Sequence, residues 1–139
     1  PGPFMDCVER SLTSLGTAPE RIHIERFVSL EADPFAPVET VLPEADADAA
    51  VVEVDLDGVS RSLRWPQGTR LLDVLLGSGM DAPYSCREGA CSACTCLVLE
   101  GEVGMEKNEV LDAADIKEGF ILACQAVPLS DRIKVTYEA

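Results

Sequence analysis

Four cysteines carry the chemistry this sequence could perform. Cys86, Cys91 and Cys94 stand in a C-x4-C-x2-C run, and 29 residues separate Cys94 from Cys124. Among iron–sulfur spacings, this is one in which four thiolates hold a [2Fe–2S] cluster. Three ligands on one loop can wrap a compact inorganic core, and a fourth from a distant segment closes the cage. Gly89, Ala90, Ser92 and Ala93 are small, so the loop backbone can approach such a core and aim its N–H groups at the sulfurs. Those hydrogen bonds help set the reduction potential.

Other uses of the cysteines fit less well. Six cysteines is an even count, which allows a disulfide framework. Such scaffolds are usually short secreted domains with little core. Here 47% of 139 residues are hydrophobic, and no signal-peptide pattern is present. Structural zinc favours two close pairs of ligands, and only Cys91 and Cys94 form one. A zinc-stabilised interaction module without redox activity remains the alternative from another class. The single histidine, His23, cannot supply a Rieske centre or a His-rich catalytic site, and reads as an ordinary strand residue. Cys96 lies two residues past Cys94, on the same side of a strand as Cys94 and Val98. It could stand in as a ligand, but burial as a small hydrophobe is preferred. Cys7 also reads as packing.

The net charge of −14 argues against nucleic acid and anionic membranes, which attract basic patches. It suits docking to a basic partner, or simply a solvated face. No apolar run approaches the ~20 residues that cross a bilayer. Cysteines kept as thiolates imply a reducing compartment, hence the cytoplasm.

The elements that would position the cysteines follow from periodicity. Phe4, Met5, Val8, Leu12 and Leu15 recur at helical spacing before Gly16, and Ile22, Ile24 and Phe27 fit one short strand entered through Pro19. That pair has no sheet of its own to join. Residues 28–49 read as an acidic linker broken by Pro34, Pro37 and Pro43, a flexible tether of roughly 25 Å or an ordered strap. From Ala50 onward, Val52, Val54 and Leu56 alternate with acids, Asp57-Gly58 signals a turn, and Val59 to Trp65 returns as a hairpin. Thr69 is a candidate N-cap for a helix carrying Leu71, Leu72, Leu75 and Leu76, closed by Gly77 and Gly79. After the cysteine loop come a buried strand over Cys96–Leu99, a helix from Asp112 to Glu118 stopped by Gly119, the run into Cys124, and a final strand through Ile133, Val135 and Tyr137. The order predicts an α+β fold with a mixed sheet across one main helix.

With these residues in place, 50–139 resembles the plant-type [2Fe–2S] ferredoxins, through Tyr84-Ser85-Cys86, Gly89-Ala90-Cys91, Cys94 and Leu122-Ala123-Cys124. The resemblance implies a β-grasp fold, Cys86, Cys91, Cys94 and Cys124 as the cofactor-binding metal ligands, and a potential near roughly −400 mV. Residues 1–27 resemble the last helix and strand of the nicotinamide-binding domain in ferredoxin-reductase-like flavoproteins. Together the parts are similar to the reductase component of bacterial multicomponent oxygenases, of the ketosteroid hydroxylase and phenylacetyl-CoA epoxidase reductase type. The resemblance implies electrons passing from NAD(P)H to FAD or FMN in an upstream part, then to the cluster, then to an oxygenase component. A stand-alone ferredoxin with an N-terminal extension is the nearest variant. No flavin region or Gly-rich dinucleotide turn is present, since Gly77-Ser78-Gly79 lacks a third glycine and a preceding strand. The chain is therefore expected to be an electron-transfer module without a catalytic site, unable by itself to oxidise a nicotinamide. Arg87 and Glu88, which flank the ligands, are candidates for partner contact or plain solvated side chains.

Overall fold

The computed structural model describes residues 2–24 and 48–138. The chain separates into two units, within Pro1–Glu31 and within Ala32–Ala139. Phe27 and nearly all of the 28–49 linker lie outside the described residues.

In the first unit, α1 spans Gly2–Ser14. It closes with Thr17 N–H donating to the Leu12 carbonyl at 3.0 Å over Gly16, whose φ of +80° is the left-handed conformation a glycine stop supplies. A 3-10 turn at Pro19–Arg21 follows. The strand expected at Ile22 and Ile24 is not formed: residues 22–24 pair with no strand among the described residues, and a lone segment has no ladder to join. Cys7 corrects a second expectation. It is exposed rather than packed, because it lies off the stripe made by Met5, Val8 and Leu12.

The second unit opens with the hairpin. β1 (Ala50–Leu56) and β2 (Val59–Trp65) pair antiparallel in register Val52↔Leu63, across Asp57 and Gly58, both at positive φ as a two-residue hairpin turn of this hand requires. α2 (Leu71–Gly77) buries Leu71, Leu72 and Leu75. Its N-cap is Arg70, not Thr69. The Thr69 carbonyl instead accepts from the indole N–H of fully buried Trp65 at 2.7 Å, which fixes the turn into the helix. β3 (Thr95–Glu100), α3 (Ala113–Glu118), β5 (Phe120–Leu122) and β7 (Arg132–Thr136) complete the expected elements. β3 is buried only at its start: Cys96 is covered while Leu99 faces solvent.

The main sheet runs β2-β1-β7-β3-β5. Only β1 and β7 are parallel, so the sheet is mixed. Two three-residue strands, β4 (Val103–Met105) and β6 (Ala126–Pro128), form a second small sheet that the pattern did not reveal. One apolar core joins α2 to the main sheet through Leu72, Leu75, Val52, Val54, Leu122 and Val135. Each such side chain contributes about 1.5–3 kcal/mol on burial.

Candidate metal centre

Two elements deliver the cysteines. The loop between α2 and β3 carries Cys86, Cys91 and Cys94, and the turn between β5 and β6 carries Cys124. Strand pairing brings them together: Thr95 pairs with Leu122 in the β3–β5 ladder, and the Ala123 amide donates to the Cys94 carbonyl at 3.1 Å. The Leu72 amide, in the first turn of α2, donates to the Ala123 carbonyl at 2.9 Å. The main helix and the main sheet thus both hold the residue next to Cys124.

The sulfurs fall into two pairs. The Cys91 thiol lowers the pKa of Cys86, and the Cys94 thiol lowers that of Cys124, so the electrostatics couple the sulfurs as two neighbouring pairs. Cys91 also acts electrostatically on Cys94, which links the pairs. Among the described residues, no three Cys, His, Asp or Glu side chains are placed to hold a metal ion together. Two thiolates on each of two irons is the division a [2Fe–2S] core uses, so the donor set fits that group.

Backbone amides supply the electrostatics. Burial raises the Cys86 thiol, yet the Glu88 N–H (3.4 Å), the Cys91 thiol and the Ala90 and Cys91 amides together lower it. Cys124 is lowered to about 6, first by the Cys94 thiol, against burial, then by the Gln125 side chain and the Gly89 amide, with the Arg70 charge adding to them. Cys94 is pushed up, first by Cys124 and then by burial, and a metal held by both sulfurs requires both to give up their protons. Cys96 is 2% exposed, and burial pushes its thiol up to about 12. A thiol held protonated beneath the sheet is a packing residue, as expected for Cys96.

The loop is shaped for close approach. Gly89 has φ +73°, and a Cβ there would lie 2.8 Å from the Lys107 carbonyl oxygen and 3.1 Å from Gln125 Cγ. Its carbonyl accepts from Glu109 N–H at 3.0 Å. Cys86, Cys94 and Cys124 are buried and Cys91 half-buried, while neighbouring Ser85, Ser92 and Ala93 are exposed. Arg87 does not project freely. Its guanidinium pairs with Asp73 at 2.7 Å and lies 5.9 Å from the Tyr84 ring centroid. Gln125, a buried amide beside Cys124, went unnoticed in the sequence because a glutamine between Cys and Ala carries no spacing signal.

A mixed sheet across one main helix, with three thiols on one loop and a fourth on the turn after β5, defines a β-grasp iron–sulfur domain. Residues 54–129 match the model of the 2Fe-2S iron-sulfur cluster binding domain, and the chain belongs to that family. It is 54% identical, over 99% of its length and 39% of the relative's, to the 3-ketosteroid-9-alpha-monooxygenase ferredoxin reductase component of Mycolicibacterium smegmatis. It is 35% identical, over 100% of its length and 38% of the relative's, to a component of the 1,2-phenylacetyl-CoA epoxidase of Escherichia coli. Among solved structures, phthalate dioxygenase reductase, described as modular for electron transfer from pyridine nucleotides to [2Fe-2S], covers 98% of this chain and 37% of its own at TM-score 0.56 and 22% identity, a likeness of fold. The chain thus spans about two fifths of the length of these curated relatives. Among the described residues, no helix is long and apolar enough to cross a membrane.

Proposed function

We propose that Cys86, Cys91, Cys94 and Cys124 hold the [2Fe–2S] cluster, and that the chain is the one-electron carrier of a longer NAD(P)H-dependent flavin reductase feeding an oxygenase component. The observation that carries this reading is the docking of the Cys124 turn onto the cysteine loop, through the Ala123 amide on the Cys94 carbonyl at 3.1 Å and the Gln125 amide on the Arg87 carbonyl at 3.0 Å. The cluster supplies a centre that accepts and returns one electron. The chain's own residues do the rest. The paired thiols present ligands, the Glu88, Gly89 and Ala90 amides offset negative charge on sulfur, and the small exposed residues Ser92 and Ala93 let an acceptor approach closely. The acidic balance favours basic docking partners, with association slowing as salt rises.

The relatives' names support placing the chain in a reductase component. In this reading residues 1–27 end a nicotinamide-binding domain, 28–49 link, 50–139 form the ferredoxin domain, and the reducing conditions that keep thiolates free place it in the cytoplasm. Flavin and nicotinamide would then bind upstream of this chain. A zinc module is less well supported, because one zinc needs all four thiolates around a single ion rather than in pairs. The test is anaerobic purification with iron, sulfide and zinc analysis, plus EPR after dithionite. Two irons and two sulfides per chain with a rhombic reduced signal are expected. A colourless, zinc-loaded or metal-free folded protein overturns the proposal.

A further inference from the structure

We propose that Gln125 is a positioning residue: its side-chain amide clips the cysteine loop to Cys124 and aims an N–H at the Cys124 sulfur, raising the reduction potential. The inference rests on the ligand assignment above and adds to it a residue that tunes the centre.

Gln125 is 2% exposed, one of few buried polar side chains in the domain. Such an amide is costly to bury unless its hydrogens are used. Nε2 donates to the Arg87 carbonyl at 3.0 Å and lies 3.6 Å from Cys124 Sγ. A carbonyl can only accept, so the Arg87 contact fixes which end of the amide carries the hydrogens. With one N–H on Arg87, the second is available to the sulfur. The main chain of Gln125 is held as firmly: its N–H donates to the Leu122 carbonyl at 2.8 Å, and its carbonyl accepts from Glu106 N–H at 3.0 Å. Its Cγ lies 3.1 Å from where a Cβ on Gly89 would stand. The side chain thus spans from the ligand turn to the middle of the C-x4-C run.

The consequence is electrostatic. Reduction adds one electron, and with it negative charge shared by the ligand sulfurs. An N–H dipole aimed at Cys124 Sγ stabilises that state more than the oxidised one, so it raises the potential. Packing alone would not.

The test is a redox titration of the holoprotein by visible absorbance, comparing wild type, Gln125→Met and Val54→Ala. Methionine keeps length and volume but has no N–H. At fixed solution potential, Gln125→Met is expected to show a reduced-to-oxidised ratio about tenfold lower, 59 mV for a one-electron couple. Val54→Ala, a core truncation away from the loop, is expected to lower the melting temperature and leave the ratio unchanged. A Gln125→Met protein with the wild-type potential overturns the inference. A second measurement needs no variant. The chain has only two glutamines, and Gln67 lies at the turn after β2. Pulsed EPR of reduced wild type with 15N-labelled glutamine side chains is expected to show a nitrogen coupling, and its absence overturns the proposal even if the methionine variant fails to fold. An iron-free wild type would instead overturn the ligand assignment beneath it.

Discussion

The Ala123 amide donates to the Cys94 carbonyl at 3.1 Å, which places Cys124 beside the last cysteine of the loop although 29 residues separate them. Strand register, set by Thr95↔Leu122, therefore assembles the site. Replacing one ligand leaves the scaffold but removes a thiolate. Cys124→Ser and Cys86→Ser are expected to lose the visible absorbance and to melt at lower temperature, because cluster binding is linked to folding. Cys7→Ser, at an exposed helix position, is expected to change neither. Absorbance spectra and iron content of the purified variants check this, and a fully coloured Cys86→Ser/Cys124→Ser double variant would refute the ligand assignment.

Gly89 sits where no side chain fits. At φ +73°, any other residue pays left-handed strain, and a Cβ would meet Lys107 backbone at 2.8 Å. Gly89→Ala is expected to cost about 1–3 kcal/mol from conformation alone, plus the displacement of the Lys107 backbone. The hydrogen bond from Glu109 to the Gly89 carbonyl would be disturbed, so cluster loss under air should accelerate. The half-time of bleaching and the denaturant midpoint measure the two effects. Wild-type values for both would mean the loop can move aside.

Asp112 offers a contrast, lying outside both the cysteine loop and the Cys124 turn. Its carboxylate accepts from the Ala114 and Asp115 amides, while the Asp115 carboxylate accepts from the Asp112 amide at 3.0 Å, a complete capping box. Asp112→Ala is expected to destabilise by about 1 kcal/mol with the reduction potential unmoved. Urea unfolding and a redox titration on the same sample check it. A shifted potential would show that α3 reaches the cluster loop.

What the sequence made legible was what local rules encode. Cysteine spacing, the Asp57-Gly58 turn, the leucine stripe of α2 and the Asp112 and Gly119 caps each act over a few residues. β4 and β6 were hidden because three residues are too short for a period of two to register, and their pairing of Val103 with Pro128 is long-range. Thr69 looked like a cap because threonine is a good one, but the Trp65 indole claims its carbonyl and the helix begins two residues later. Ile22 and Ile24 alternated like a strand with no partner to pair with. Gln125 was invisible for a different reason. Its role depends on Arg87 and Cys124 converging in space, which no spacing states.

Arg87 is the one non-glycine residue of the cysteine loop at positive φ, +59°. Its guanidinium, half-covered, pairs with Asp73 at 2.7 Å and faces the Tyr84 ring, while its carbonyl accepts from Gln125. A solvated charge awaiting a partner would not be tied at both ends. Arg87→Ala and Arg87→Gly lose the same ion pair and the same ring contact. They differ in the backbone: alanine keeps the left-handed strain, about 1–2 kcal/mol, whereas glycine removes it at an entropic cost of roughly 0.5–1 kcal/mol. Strain is the larger effect, so Arg87→Gly is expected to be the more stable variant and to hold its cluster longer. Denaturant midpoints and bleaching half-times of the two variants, measured side by side, decide it. An alanine variant equal to or better than the glycine variant would mean the loop relaxes out of the left-handed region, and that the ion pair to Asp73 is what holds Arg87 there.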